Sequence, residues 1–340
     1  MTRKPDFENL LAVLHRKVPA RPTLFEFFLN GPLYARLAQR PVPEKWTGLD
    51  FARTGMQAYE RAGYDYYTVH PSDLRFPTKE HAHQASRSMN DLAMISDRAS
   101  FNAYPWPDAE KADISRLDVL GKELPKGMKM IPYGPCGVLE NTMAIVGYEN
   151  ICLIIEDDPE LATDIFHSVG SCMLRYYERF VGHPAIGACI VNDDWGFNSQ
   201  PMLSPAQMRQ YVFPWHKKIV DAIHGVGKPA ILHSCGNLAS IMDDIIDVIG
   251  FEAKHSYEDK IQPVEEAYEQ YGSRIAILGG IDLDFVCRST PEAIFQRSHA
   301  ILERTAKRGG YALGTGNSIP AYVPDENYFA MISAATGLKY

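Results

Sequence analysis

The chain has 340 residues, 46% hydrophobic and 22% charged, ordinary values for a globular protein that buries a core without disulfide staples. Its formal net charge of -8 speaks against a nucleic-acid binder, which carries a basic face. The opening "MTRKPDFENLLAVLHRKVPA" has no long uncharged apolar stretch, and no window reaches bilayer-spanning length, so the expectation is a cytoplasmic protein without signal peptide or membrane partner.

Residues 1–20 read as a helical lead-in. Eight short β-rich apolar runs follow, at 21–29, 64–71, 128–137, 185–194, 228–235, 248–256, 274–282 and 310–317, and "ISDRASF" (95–101) is a weaker ninth candidate. Each run is apolar throughout rather than alternating, as in strands buried on both faces. Helical patterns lie between them. One opens at Asp157 or Asp158 and runs to 182. The 204–227 pattern has Ser204 as N-cap, Pro205 at the first helical position and a kink at Pro214. The 290–310 pattern opens with Thr290 and Pro291 and stops at Gly-Gly. The last, 323–337, closes the chain.

Strand then helix, eight times, predicts an α/β fold: a TIM (β/α)8 barrel, one domain over 1–340, with 71–127 an insertion before the third strand. A six-stranded doubly wound sheet is the competitor. The count of eight and the lack of a glycine-rich phosphate loop after the first strand weigh against it.

A TIM barrel carries its chemistry at the C-terminal ends of its strands. Here those ends hold Glu26, His70, Tyr133, Asn192-Asp193-Asp194-Trp195, His233 with Cys235, Lys254-His255, Asp282, and Thr315 with Asn317. Adjacent strand residues face opposite ways, so one of Asp193 and Asp194 points into the mouth, and Asp194 is favoured. Glu140 follows Tyr133 after the third strand and reads either as a rim group or as the start of a helix. The catalytic candidates are Asp194, Asp193 and Glu26. The substrate-binding candidates are His70, Tyr133, Trp195, Asn317 and His255, with Trp195 and Tyr133 read most simply as packing residues or pocket walls.

His233 and Cys235 are two apart, so an imidazole and a thiol emerge side by side where a strand stops. None of the six cysteines forms a CxxC pair, and the others read as buried free thiols in a reducing compartment. The HxC pair suits zinc, but two ligands do not complete a site, and a catalytic pair or plain packing stays open.

In "DDWGFNSQPMLSP", "HSCGNL", "LGGIDLDFV" and "GTGNSIPAYVPDENYFAMISA" the sequence resembles the uroporphyrinogen decarboxylase-like barrels, a group that includes corrinoid-dependent methyltransferases. The likeness runs through most of the chain and is densest from about 185 to 335. The decarboxylases carry paired arginines after the first strand. The matching "FEFFLNGPLYARL" has Arg36 alone, so a tetrapyrrole octacarboxylate would lack its counter-charges. The methyltransferases bind zinc through the HxC pair and a cysteine after the last strand. His233 and Cys235 match the pair, but Thr315 stands at the third position, leaving Glu26, Asp194 or Asn317 as the further ligand.

The resemblance implies a methyltransferase moving a methyl group between a small substrate, of methoxy-aromatic or methylamine type, and cobalamin carried by a partner corrinoid protein. Phe27, Trp106 and Trp195 would wall the substrate. Zinc, Asp194 or Glu26 would assist the leaving oxygen. The alternatives are a metal-free decarboxylase or lyase gripping a small carboxylate with Arg75, Arg87 or Lys254, and a non-catalytic binding barrel.

Overall fold

A computed structural model describes residues 3–44, 46–79 and 93–338. The apolar runs become strands where both faces are covered, and they stop where polar side chains need partners. Among the described residues seven strands form: β1 (Tyr66–Val69), β2 (Lys129–Pro132), β3 (Cys189–Asn192), β4 (Ala230–His233), β5 (Ala253–His255), β6 (Ala276–Leu278) and β7 (Tyr311–Ala312). β1 pairs with β2, and β3 to β7 form a parallel sheet in chain order. Bridges from Met130 to Ile186 and from Tyr133 to Ile190 join the two sheets. Leu24 bridges to Leu313 and Leu29 to Ile319. Segment 23–29 is therefore the remaining stave of a single-domain (β/α)8 barrel.

That first stave departs from the expected strand. It takes main-chain bonds from the β7 side, with Phe25 N donating to Leu313 O and Leu313 N donating to Thr23 O. Toward β1 its described partners are hydroxyls. Tyr66 Oη bonds both Glu26 N and Glu26 O at 2.7 Å, and Thr68 Oγ1 donates to Phe27 O at 2.6 Å. Tyr59 Oη lies 3.3 Å from the carbonyls of Glu26 and Phe27. Side chains thus satisfy polar groups that a strand ladder would otherwise pair.

The helices follow the capping chemistry. Asp158 caps Pro159–Phe180, Ser204 and Gln207 form a capping box, and Thr290 caps Pro291–Thr305. Pro214 does not simply kink its helix. A π-helical turn, Met208–Val212, comes first, and a new helix, Phe213–His224, starts with the proline in its first turn, where no backbone N–H is needed. The ninth strand candidate is not a strand, because Asp97 and Ser100 form a capping box that opens helix Arg98–Ala103. Within 71–127 the described residues also hold a short 3-10 turn, Ala109–Lys111, and helix Arg116–Glu123.

In the lead-in, helix Phe7–Leu14 buries Leu10, Val13 and Leu14. It lies at the N-terminal ends of the strands, where Phe7 N donates to Gly127 O. Among the described residues no single helix is long and apolar enough to cross a membrane.

Gly314 sets the closure of the barrel. A Cβ there would stand 1.6 Å from Phe25 O, so only glycine lets the first stave approach β7. Gly314→Ala is expected to destabilise the fold by about 3 kcal/mol, read as a lower urea midpoint.

Candidate metal centre and active site

The ladder brings the chemistry together. Asn192 on β3 pairs with His233 on β4, and His233 pairs with His255 on β5, one cross-strand row at the C-terminal rim. The rings of His233 and His255 meet, Nδ1 to Nδ1, at 2.8 Å. His255 Nε2 lies 3.1 Å from Thr315 O. A carbonyl only accepts, so His255 donates from Nε2 and its Nδ1 is the acceptor. His233 must then donate from Nδ1, which leaves the lone pair of its Nε2 free. Burial drives both imidazoles toward neutrality, His255 down to about 3 and His233 well below its ordinary value.

That free lone pair faces the cysteine. Cys235 Sγ is 4.0 Å from His233 Nε2. Asp194 Oδ1 accepts from Cys235 N at 2.8 Å. Single ligand atoms of Asp194, His233 and Cys235 all lie within 4.8 Å of one another. Asn317 Nδ2 donates to Cys235 Sγ at 3.4 Å, and Ser256 Oγ lies 3.6 Å from it. Burial pushes the Cys235 thiol up to about 12, and the Asp194 charge adds to the rise. Burial also raises the Asp194 carboxyl. The thiol and the carboxylic acid each resist ionising here, and a divalent cation between them would reverse that. One nitrogen, one sulfur and one oxygen donor, with a fourth position left over, make a ligand set that suits a catalytic zinc.

Gly236 sets the cysteine's loop. It has φ +87°, and a Cβ would meet Gly196 O at 2.0 Å. The 235–237 turn therefore lies directly on the loop after Asp194.

The adjacent aspartates have separate fates. Asp193 is fully buried, accepts from the amides of Leu139 and Glu140 at 2.9 and 2.8 Å, and meets His216 Nε2 at 2.9 Å. It anchors the start of helix Val138–Val146 from across the barrel wall. Asp194 alone joins the cluster. Trp195 is fully buried against Phe213 and His216. Glu26 is fully buried on Thr315, while its neighbours Phe25 and Phe27 pack on His255 and His233 with centroids 5.1 and 4.4 Å apart.

Phe27 continues to Tyr133 and Tyr133 to His70, with centroids 5.0 and 5.3 Å apart, an aromatic row beside the cluster. His70 is half-buried, and its Nδ1 bonds Ser72 O. Trp106 packs on Phe101 and Tyr104. Lys254 is buried, with its ammonium held by the carbonyls of Ser234 and Ser256 at 3.3 and 2.6 Å. Burial lowers it to about 8. It lines a side cavity of about 210 Å³ with Tyr257 and Glu258, next to the cluster rather than in it.

Sequence reasoning passed over two residues. His216 sits in a helix whose apolar spacing hides it. Ser256 follows the same two-residue period as Lys254, and nothing else marks it. Glu140 was read as a strand-end group or a plain helix start, and its carboxyl is pushed up to about 8 by burial and then by Asp193 and Asp194. An acid three residues into a helix after a strand end was the signal.

Comparisons with known proteins bear on the fold and the family. The fold resembles a methyltransferase from Methanosarcina mazei, with a TM-score of 0.71 at 17% identity over 99% of both chains. A uroporphyrinogen decarboxylase from Carboxydothermus hydrogenoformans is 25% identical over 223 residues, 64% of this chain and 59% of that protein. The methylcobamide:CoM methyltransferase MtbA of Methanosarcina acetivorans is 29% identical over 136 residues, 38% of this chain and 37% of that protein. The chain spans about half the length of the curated relatives it matches. Residues 119–338, which carry β2 to β7 and every member of the cluster, match the uroporphyrinogen decarboxylase (URO-D) family, and the chain belongs to that family.

Proposed function

We propose that this chain is a methyltransferase of a corrinoid-dependent system. It would move a methyl group between a small methoxy-aromatic or methylamine-type substrate and cobalamin carried by a partner corrinoid protein. The observation that carries the reading is the convergence of Asp194, His233 and Cys235, with the His233 Nε2 lone pair already aimed at the cluster. Likeness to two methyltransferases supports it.

Zinc held by Asp194, His233 and Cys235 would polarise the oxygen or nitrogen that leaves the methyl group. The chain's own residues do the rest. His255 holds His233 in the ligating tautomer, as an outer partner of a metal-bound histidine does. Asn317 and Ser256 orient the Cys235 sulfur. The row Phe27, Tyr133 and His70, its rings packed edge to face, offers an aromatic wall for the substrate and keeps water from one side.

The decarboxylase alternative needs a cation to hold the carboxylate. Arg36 is spent on Asp325 at 2.5 Å, Arg75 is exposed, and Lys254 is tied to two carbonyls. Arg87 lies outside the described residues. The weight of the cluster therefore favours methyl transfer.

Mildly purified protein is expected to carry about one zinc per chain. His233→Ala, Cys235→Ala and Asp194→Ala should each drop the metal to background in elemental analysis. Each should also abolish transfer from a methoxy-aromatic panel to a Co(I) corrinoid. Full methyl transfer by zinc-free His233→Ala would sink the reading.

His255→Leu keeps the packing but removes the relay. It should weaken zinc affinity about 10- to 100-fold in a chelator competition with the folded-state melting curve nearly unchanged in shape.

A further inference from the structure

Glu26 is 0% exposed, and its hydrogen bonds determine where its proton is. Thr315 N donates to Oε1 at 2.7 Å. Thr315 Oγ1 lies 2.8 Å from Oε2 and 3.0 Å from Asn317 O. A threonine hydroxyl has one proton to give. If Glu26 were ionised, that proton would serve either Oε2 or the Asn317 carbonyl, and the other contact would set two acceptors against each other. If Oε2 carries a proton, it donates to Thr315 Oγ1, and the hydroxyl donates to Asn317 O. Both contacts are then hydrogen bonds.

The surroundings agree. The titratable groups that face this carboxyl are phenols: Tyr34 on helix Gly31–Ala38, Tyr59 on helix Gly48–Ala62, Tyr64 before β1, Tyr66 on β1 and Tyr311 on β7. Each is raised above its ordinary value, chiefly by burial, and so stays neutral. Among the described residues only the two bonds from Thr315 favour the ionised form, and burial outweighs them, pushing the carboxyl up to about 8.

The 315–317 turn does two further things. Its Thr315 carbonyl fixes the His255 and His233 tautomers, and its Asn317 amide touches Cys235 Sγ. We propose that Glu26 is a protonated carboxylic acid at neutral pH and a positioning residue, which holds the 315–317 turn in register with the Asp194, His233 and Cys235 centre. The positioning role rests on the metal reading above; the protonation does not. Glu26 touches none of the three proposed ligands and is no ligand itself. Its neutral isostere should therefore replace it.

Infrared spectra of the full chain against Glu26→Gln test the first half. The wild type should show a protonated-carboxyl C=O band at pH 7 that Glu26→Gln lacks and that titrates away near pH 8. Absence of that band at pH 7 overturns the proposal.

Zinc competition tests the second half. Glu26→Gln should bind zinc as the wild type does at pH 7, whereas Glu26→Ala should bind it about 10-fold more weakly or worse. Should Glu26→Ala not fold, Thr315→Val removes the same hydroxyl link and should show the same loss. Equal losses in Glu26→Gln and the disrupting variant overturn the positioning role. A wild type that shows the band but takes up no zinc supports the neutral acid and fails the metal reading instead.

A third readout is thermal stability against pH. The folded carboxyl titrates above its unfolded value of 4.5, so its stabilisation is full below about 4.5 and is lost as pH rises through about 8. The melting temperature of Glu26→Gln should gain on that of the wild type from about pH 5 to 8 and then level off. A constant gap across that range overturns the proposal.

Discussion

The site depends on one acceptor, the carbonyl of Thr315. It lies at the end of the β7 stretch, where it takes the Nε2 proton of His255. Every later assignment follows from that proton. His255 then accepts from His233, and His233 presents its Nε2 lone pair to Cys235 and Asp194. Reverse the carbonyl, and both imidazoles lose a defined tautomer. A buried imidazole with no fixed tautomer is a poor ligand, because rotating or reprotonating it costs free energy each time a metal binds. The barrel supplies the rigidity, since Thr315 bridges to Ile281 and His255 pairs directly with His233 in the ladder.

The same barrel sorts polar groups by side. Phe25, Phe27, His233 and His255 meet one another, so they share one face of the stave wall. Glu26 and Lys254, one residue out of phase with these, point away from that set. Glu26 ends on Thr315 among phenols, and Lys254 ends on two backbone carbonyls. A two-residue period thus separates groups that face the chemistry from groups that brace it. Asp193 and Asp194 divide in the same way, one bracing helix Val138–Val146 and the other joining the cluster.

Much of this was legible in the sequence. The strand-helix alternation revealed the barrel, and strand-end positions brought His233, Cys235, Asp194, Asn317 and His255 to one rim. Parity between neighbours separated the two aspartates. What the sequence could not show were partners drawn from distant segments. Glu26 and Thr315 are 289 residues apart, and nothing local in "LFEFFL" marks an acid bonded to the far end of the chain. Trp195 carries the aromatic character of a pocket wall, yet packing against Phe213 and His216 buries it. The first stave reads as a strand because its residues are apolar, but the hydroxyls of Tyr59, Tyr66 and Thr68 take the place of a ladder on its β1 side. Hydroxyls reaching across a seam have no periodicity to reveal them.

Thr315 also bears on the metal chemistry. A cysteine at this place would put two thiolates on the zinc, and both would donate strongly to it. Here the hydroxyl is committed to Glu26 and to the Asn317 carbonyl, and Asp194 approaches the cluster from β3 instead. In the proposed site a carboxylate stands where a second thiolate would otherwise donate. Oxygen donors are harder and give less charge to the metal, so the ion stays the stronger Lewis acid. Such a centre is better matched to loosening a methyl group from oxygen or nitrogen than to activating a substrate thiol. In the proposed site Thr315 offers no ligand, and the Glu26 carboxyl that binds it keeps the turn in place.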